Sequence, residues 1–136
     1  MKRNILIILS LVVAIQAFAS ETKINGDTHF HYTVDEADNS AFKISRAYLT
    51  VSKKVSDQLS YKFQTDIGVG GPSDYTVYLK NANVAWKSGL GKFVFGLQGL
   101  NVFKIQEDNW GYRFIDKSAM DKAKFSNSAD LGIGWE

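Results

Sequence analysis

From Leu59 to Ile67 the chain alternates without a break, with Leu59, Tyr61, Phe63, Thr65 and Ile67 on one side and Ser60, Lys62, Gln64 and Asp66 on the other. A period of two over about nine residues predicts a β-strand with one apolar and one polar face, and that length crosses a bilayer at a tilt. A soluble sandwich uses the same alternation with its apolar face turned inward. The pattern therefore predicts the strand and leaves its environment to neighbouring features.

Similar alternation predicts further strands. The first covers Ile24 to Val34, with Gly26, Thr28, Phe30, Tyr32 and Val34 opposed to Asn25, Asp27, His29, His31 and Thr33. A second covers Phe42 to Lys53, with Ala47, Leu49 and Val51 opposed to Arg46, Tyr48, Thr50 and Ser52. The Leu59 segment is the third, Tyr75 to Trp86 the fourth and Lys92 to Leu100 the fifth, and a sixth begins near Ser128. In the fourth, Ala82, Val84 and Trp86 oppose Asn81, Asn83 and Ala85, but Lys80 breaks the pattern, which calls for a bulge or a snorkelling lysine. No helical period of apolar residues is evident after residue 23, so the expected class is all-β and antiparallel.

The connections differ in kind. Val55-Ser56-Asp57-Gln58 and Lys87-Ser88-Gly89-Leu90-Gly91 read as tight hairpin turns. Asp35 to Ser40 reads as an acidic loop, Gly68 to Asp74 as a glycine-rich loop with Pro72, and Asn101 to Asn127 as a long charged segment. Short turns at one end and long loops at the other are the asymmetry of outer-membrane barrels. In that orientation Tyr61, Trp86 and Phe93 lie near the short turns on the outward face, where an interfacial aromatic girdle belongs.

The N-terminus agrees with export. Lys2 and Arg3, the apolar run Ile5 to Ile15 broken by Ser10, and Ala17-Phe18-Ala19 read as a signal peptide over residues 1–19, leaving 20–136 as the mature portion. Cleavage removes two basic residues and no acidic one, so the 16 basic residues fall to 14 and balance the 14 acidic ones. Composition then gives no reason to expect nucleic acid as a partner. With no cysteine, disulfides, thiolate metal sites and thiol redox chemistry are excluded, and stability must come from packing and closed hydrogen-bond ladders.

Catalytic chemistry is sparsely signalled. His29 and His31 share a strand face with Asp27, but no further ligand stands nearby, so no metal or other cofactor is expected. Glu107 and Asp121 are carboxylates whose separation nothing in the sequence fixes, and no nucleophile elbow or phosphate-cradling loop is present. The chain is not expected to be an enzyme. The polar strand faces carry the more informative set: Arg46, Tyr48, Thr50, Lys62, Gln64, Asp66, Asn81, Asn83 and Gln98 are the expected lining of a pore, where charged side chains set ion preference.

Phe42-Lys43-Ile44-Ser45-Arg46-Ala47-Tyr48-Leu49, Gly96-Leu97-Gln98, Trp110-Gly111-Tyr112-Arg113 and Ser128-Ala129-Asp130-Leu131-Gly132 together resemble the N-terminal part of bacterial outer-membrane porins of the phosphate-selective porin O and P type. The resemblance implies a transmembrane β-barrel of which this chain supplies about six strands, in the outer membrane, often as a homotrimer. It implies passive diffusion of small hydrophilic solutes, with anion or phosphate preference in some members. It also implies that the segment bearing Trp110, Tyr112 and Arg113 folds inward as a constriction loop, with Trp110, Tyr112 and Phe114 packing it against the wall or stacking on solute. For the basic ladder of that family only Arg46 and Lys62 stand as matches, and the loop is nearly balanced in charge. The contrasting expectation is a soluble periplasmic β-sandwich or small-ligand binding module, built around Trp86, Trp110 and Trp135.

Overall fold

The computed structural model describes residues 21–34, 40–71 and 74–136. The signal peptide read over 1–19, the acidic loop Asp35 to Asn39 and Pro72 with Ser73 lie outside the described residues. The strands are β1 (Thr22–Val34), β2 (Ser40–Lys54), β3 (Leu59–Gly71), β4 (Asp74–Ser88), β5 (Gly91–Gly99) and β6 (Ala129–Trp135). They form one antiparallel sheet in the order β1-β2-β3-β4-β5-β6. Two helices, α1 (Asn101–Trp110) and α2 (Ala119–Lys122), lie in the connection between β5 and β6. Among the described residues the sheet is open, with β1 and β6 at its edges.

Three sequence readings are corrected. Gly68 to Gly71 is not a loop but the end of β3, in register as Gly68↔Thr76, Val69↔Tyr75 and Gly71↔Asp74. Glycine keeps its backbone donor and costs a ladder only entropy, whereas proline alone lacks the N–H. The connection after β3 is therefore short, and the asymmetry of the connections rests mainly on the stretch between β5 and β6. That stretch holds a ten-residue helix where none was expected, because Phe103 is its only buried side chain while Val102 and Ile105 stay 65% and 62% exposed. With one anchor and no apolar stripe, there was no helical period to read.

The irregularity at Lys80 is a bulge. Gln64 pairs with Asn81 and Thr65 with Leu79, leaving Lys80 unpaired between them. A second bulge leaves Ser45 unpaired between His29↔Arg46 and Phe30↔Ile44. Each sets two neighbouring polar residues, Ser45 with Arg46 and Lys80 with Asn81, on the polar side of the sheet.

The buried side chains are mostly polar and many large apolar ones are exposed. Among the described residues only Val94 and Phe103 are buried apolar side chains, whereas Lys53, Asp66, Asn81 and Ser118 are buried polar ones. Phe30, Val77, Leu131 and Ile133 are each more than 70% exposed. The register gathers most of the large exposed apolar side chains of the strands on one face of the sheet, as a continuous apolar band. No second sheet stacks on it among the described residues.

The band is bounded by aromatic rings. The register sets Leu59, Trp86, Phe93 and Trp135 in one row beside the short turns, with Trp86 and Phe93 stacked at 5.8 Å. Tyr61 lies one row in from them on the same face, level with Val84, Phe95 and Ile133. At the far end Tyr32 and Phe42 lie 5.0 Å apart, and Tyr75 stands near the far end of β4. Trp86 and Tyr75 are eleven positions apart on β4, roughly 36 Å along a strand and roughly 28 Å along a normal tilted by about 40°. That height matches the hydrocarbon core of a bilayer.

Candidate functional site: a polar trough under a folded loop

The polar face curls into a trough of about 1440 Å³. Its wall is crossed by rows of hydrogen-bonded side chains that the register brings level. Gln64 donates through Nε2 to the Thr50 hydroxyl at 2.8 Å, and Asn81 donates through Nδ2 to Gln64 Oε1 at 2.6 Å. One row towards the short turns, Lys62 lies between Ser52 and Asn83, and Asn83 donates to the carbonyl of Leu97 at 3.0 Å. Gln98 donates to the carbonyl of Val94 at 3.3 Å and lies over Gly134, whose missing side chain leaves it room.

Towards the far end the charges gather. Asp66 is 5% exposed. Its Oδ1 accepts the backbone N–H groups of Ala47 at 3.3 Å and Ile67 at 2.8 Å, and its Oδ2 accepts the Tyr78 hydroxyl at 3.0 Å. The Arg46 guanidinium lies 4.7 Å from the centre of the Tyr48 ring. Lys80 donates to the Ser128 hydroxyl at 2.5 Å and lies in the electrostatic range of Asp66, Arg46, Glu107 and Asp121. The buried carboxylate is thus fully hydrogen-bonded, the condition under which a charge persists away from water.

The β5–β6 connection closes over this wall. Phe103 anchors α1, and Gly111 ends it in the left-handed conformation at φ 69, its N–H bonding to the Glu107 carbonyl. Arg113 then turns back onto the helix, with Nε 2.7 Å from Glu107 Oε1 and Nη2 3.5 Å from Asp121 Oδ2. Gln106 donates to the Ser118 hydroxyl at 2.6 Å, and Lys122 pairs with Asp116, holding that exposed carboxyl below the ordinary aspartate range. Removing Arg113 leaves two carboxylates facing each other. Arg113→Ala is expected to weaken the loop's fold by roughly 1–3 kcal/mol, seen as faster amide exchange over 101–122 while β5 and β6 stay protected.

Of the expected lining, Arg46, Tyr48, Lys62, Gln64, Asp66, Asn81, Asn83 and Gln98 border the trough, as does Arg113 from the loop. Thr50 is on the same face but covered by Gln64. Trp110 and Tyr112 are elsewhere. Trp110 meets Tyr112 edge-on at 5.8 Å, Tyr112 meets Phe114 at 6.3 Å, all three remain 41–61% exposed, and none of them borders the trough. Trp110 donates through Nε1 to the Asp116 carbonyl at 3.2 Å within the loop, while Arg113 is held at the trough by Glu107 and Asp121.

The trough is more basic than the sequence reading allowed. Beyond Arg46 and Lys62, it is bordered by Lys23, Lys53, Lys54, Lys80, Lys87, Lys92, Lys104, Arg113 and Lys117, eleven basic residues in all. Five acidic ones face them: Glu21, Asp66, Glu107, Asp121 and Glu136. The overall charge balance hides this, because Asp74 and Asp130 do not border the trough, although Asp57 and Asp108 reach its edge by pairing with Lys54 and Lys104. Lys80 was the one legible signal, through its broken alternation.

His29 and His31 do not converge. His29 Nε2 lies 3.5 Å from Asp27 Oδ2, whereas His31 is 2.7 Å from the Ser45 hydroxyl. Among the described residues no group of three or more His, Cys, Asp or Glu side chains gathers as a metal site. No described helix is long and apolar enough to cross a membrane, which says nothing of strands. No family model, curated protein or solved structure matches this chain.

Proposed function

We propose that this chain forms part of the wall of an outer-membrane pore, a β-barrel channel that passes ions and small hydrophilic solutes and prefers anions. The observation that carries the reading is the inverted sheet: a continuous exposed apolar face between two aromatic rows, and a hydrogen-bonded polar face around a trough. Lipid satisfies the first face and water the second. In water the apolar face would forgo roughly 1.5–3 kcal/mol for each large side chain left unburied, and a sandwich would cover it. Open sheet edges are not tolerated in hydrocarbon, since each unpaired backbone group costs several kcal/mol there. The six strands therefore function with further strands beside β1 and β6.

The sign of selectivity follows from the eleven basic against five acidic residues at the trough, because fixed charges lining a pore enrich the opposite ion. In planar bilayers under a potassium chloride gradient, the reversal potential is expected on the chloride side. Arg46→Ala with Lys62→Ala is expected to move it towards the cation side. A reversal potential unchanged by the double substitution rejects the anion preference, and a protein that raises no current rejects the pore.

A further inference from the structure

The ladder between β2 and β3 stops halfway up the wall. It runs from Lys54↔Ser60 to Leu49↔Thr65 and no further. Beyond that row β2 continues only with β1, from Tyr48↔Asp27 to Ser40↔Val34, and β3 only with β4, from Asp66↔Tyr78 to Gly71↔Asp74. The two hairpins splay into a fork. Its crotch is held by Asp66, whose Oδ1 accepts an N–H from each edge, Ala47 on β2 and Ile67 on β3. The fork opens below the level of Tyr32, Phe42 and Tyr75, so on the membrane reading it lies inside the apolar band, on the half away from the short turns.

Unpaired strand edges do not persist in hydrocarbon without a polar partner. The trough reaches into the fork, since Ser45 and Arg46 on one edge and Gly68 and Val69 on the other border it. Gly68 leaves the β3 edge bare where the extended register would set it against Arg46. The cations Arg46 and Lys80 favour an anion, to which edge N–H groups can donate, while Asp66 is engaged by three donors of its own.

We infer that this fork is a lateral opening that admits an amphiphile from the surrounding leaflet, its anionic headgroup held by Arg46, Lys80 and the edge N–H groups while its apolar tail stays in lipid. The inference rests on the membrane reading, and commits to a leaflet amphiphile rather than a free anion arriving through the mouth.

These 136 residues contain no cysteine, and any elsewhere in the protein is first replaced by serine. In the full-length protein, Ser45→Cys with Val69→Cys places one thiol on each edge beyond the crotch, so oxidation, verified by loss of free thiol, ties the fork shut. With dodecyl phosphate as probe and inorganic phosphate as control, the reduced channel is expected to be blocked by dodecyl phosphate at concentrations at least tenfold lower. Oxidation should abolish that advantage and leave the response to inorganic phosphate unchanged. Equal block by dodecyl phosphate in both states overturns the proposal. Amide exchange of the unsubstituted protein in vesicles decides it independently of current: exchange over 43–46 and 68–71 faster than over 60–65 supports the fork, and uniform protection overturns it. If the vesicle-bound protein carries no current yet exchanges in this pattern, it is the pore reading that has failed and not the fork.

Discussion

Phe63→Arg is expected to cost about 2–4 kcal/mol of folding in lipid vesicles, the depth-dependent penalty for a guanidinium on the lipid face of a barrel near the midplane. Phe63 is 45% exposed, and its row, Val51, Phe63, Ala82, Leu97 and Leu131, lies between the two aromatic bounds. The neighbouring Gln64 faces the trough, so Gln64→Arg should leave insertion intact. The contrast makes the pair informative. In water, replacing a half-exposed phenylalanine by arginine is nearly neutral and usually aids solubility. A fold that keeps its apolar face wet, or covers it with another protein layer, gives a different ranking of the two variants. The measurement is the folded fraction against urea in vesicles, read by the mobility of the unheated protein on gels.

Gly96→Val is expected to be more damaging still, on the order of 3 kcal/mol or more. Gly96 sits on β5 at φ +113, a conformation that branched side chains do not adopt, and a Cβ there would lie 2.4 Å from the Ala82 carbonyl oxygen of the adjoining strand. Relief requires parting β4 from β5, which exposes ladder groups on both sides. Gly132 provides the control, since it is the register partner of Gly96 and a Cβ there meets nothing within 4 Å. Gly132→Val is expected to fold within about 1 kcal/mol of the parent, the ordinary range for a strand surface position. Equal loss in the two variants would mean that the β4–β5 contact is not as tight as described.

Strand content was legible because period-two alternation is a local property. Leu59 to Ile67 and Phe93 to Gln98 announce both their conformation and their faces, and register then follows from the tight turns at Val55–Gln58 and around Gly89-Leu90. The failures came where the decisive interaction is distant in sequence. Gly68 to Gly71 looked like a loop because glycine lowers strand propensity, yet pairing with Asp74 to Thr76 overrides it. The helix from Asn101 to Trp110 buries only Phe103, against a wall that local sequence does not contain. The charge of the trough depends on which residues the bulges at Ser45 and Lys80 turn inward, and bulges are set by cross-strand fit. Arg113 borders the trough whereas Trp110 and Tyr112 do not, because Arg113 is drawn back by Glu107 and Asp121, partners that nothing local in the sequence names.

Which face of the sheet meets lipid decides the function, and single cysteines placed along β3 of the full-length protein, with any other cysteine replaced by serine, read this directly. Each is labelled with an environment-sensitive fluorophore in reconstituted vesicles and challenged with a lipid-phase and a water-phase quencher. Labels at Phe63 and Thr65 should be quenched from the lipid, and labels at Lys62 and Gln64 from the water. Labels at Phe63 and Thr65 that are shielded from lipid, or all four positions open to water alone, would contradict it.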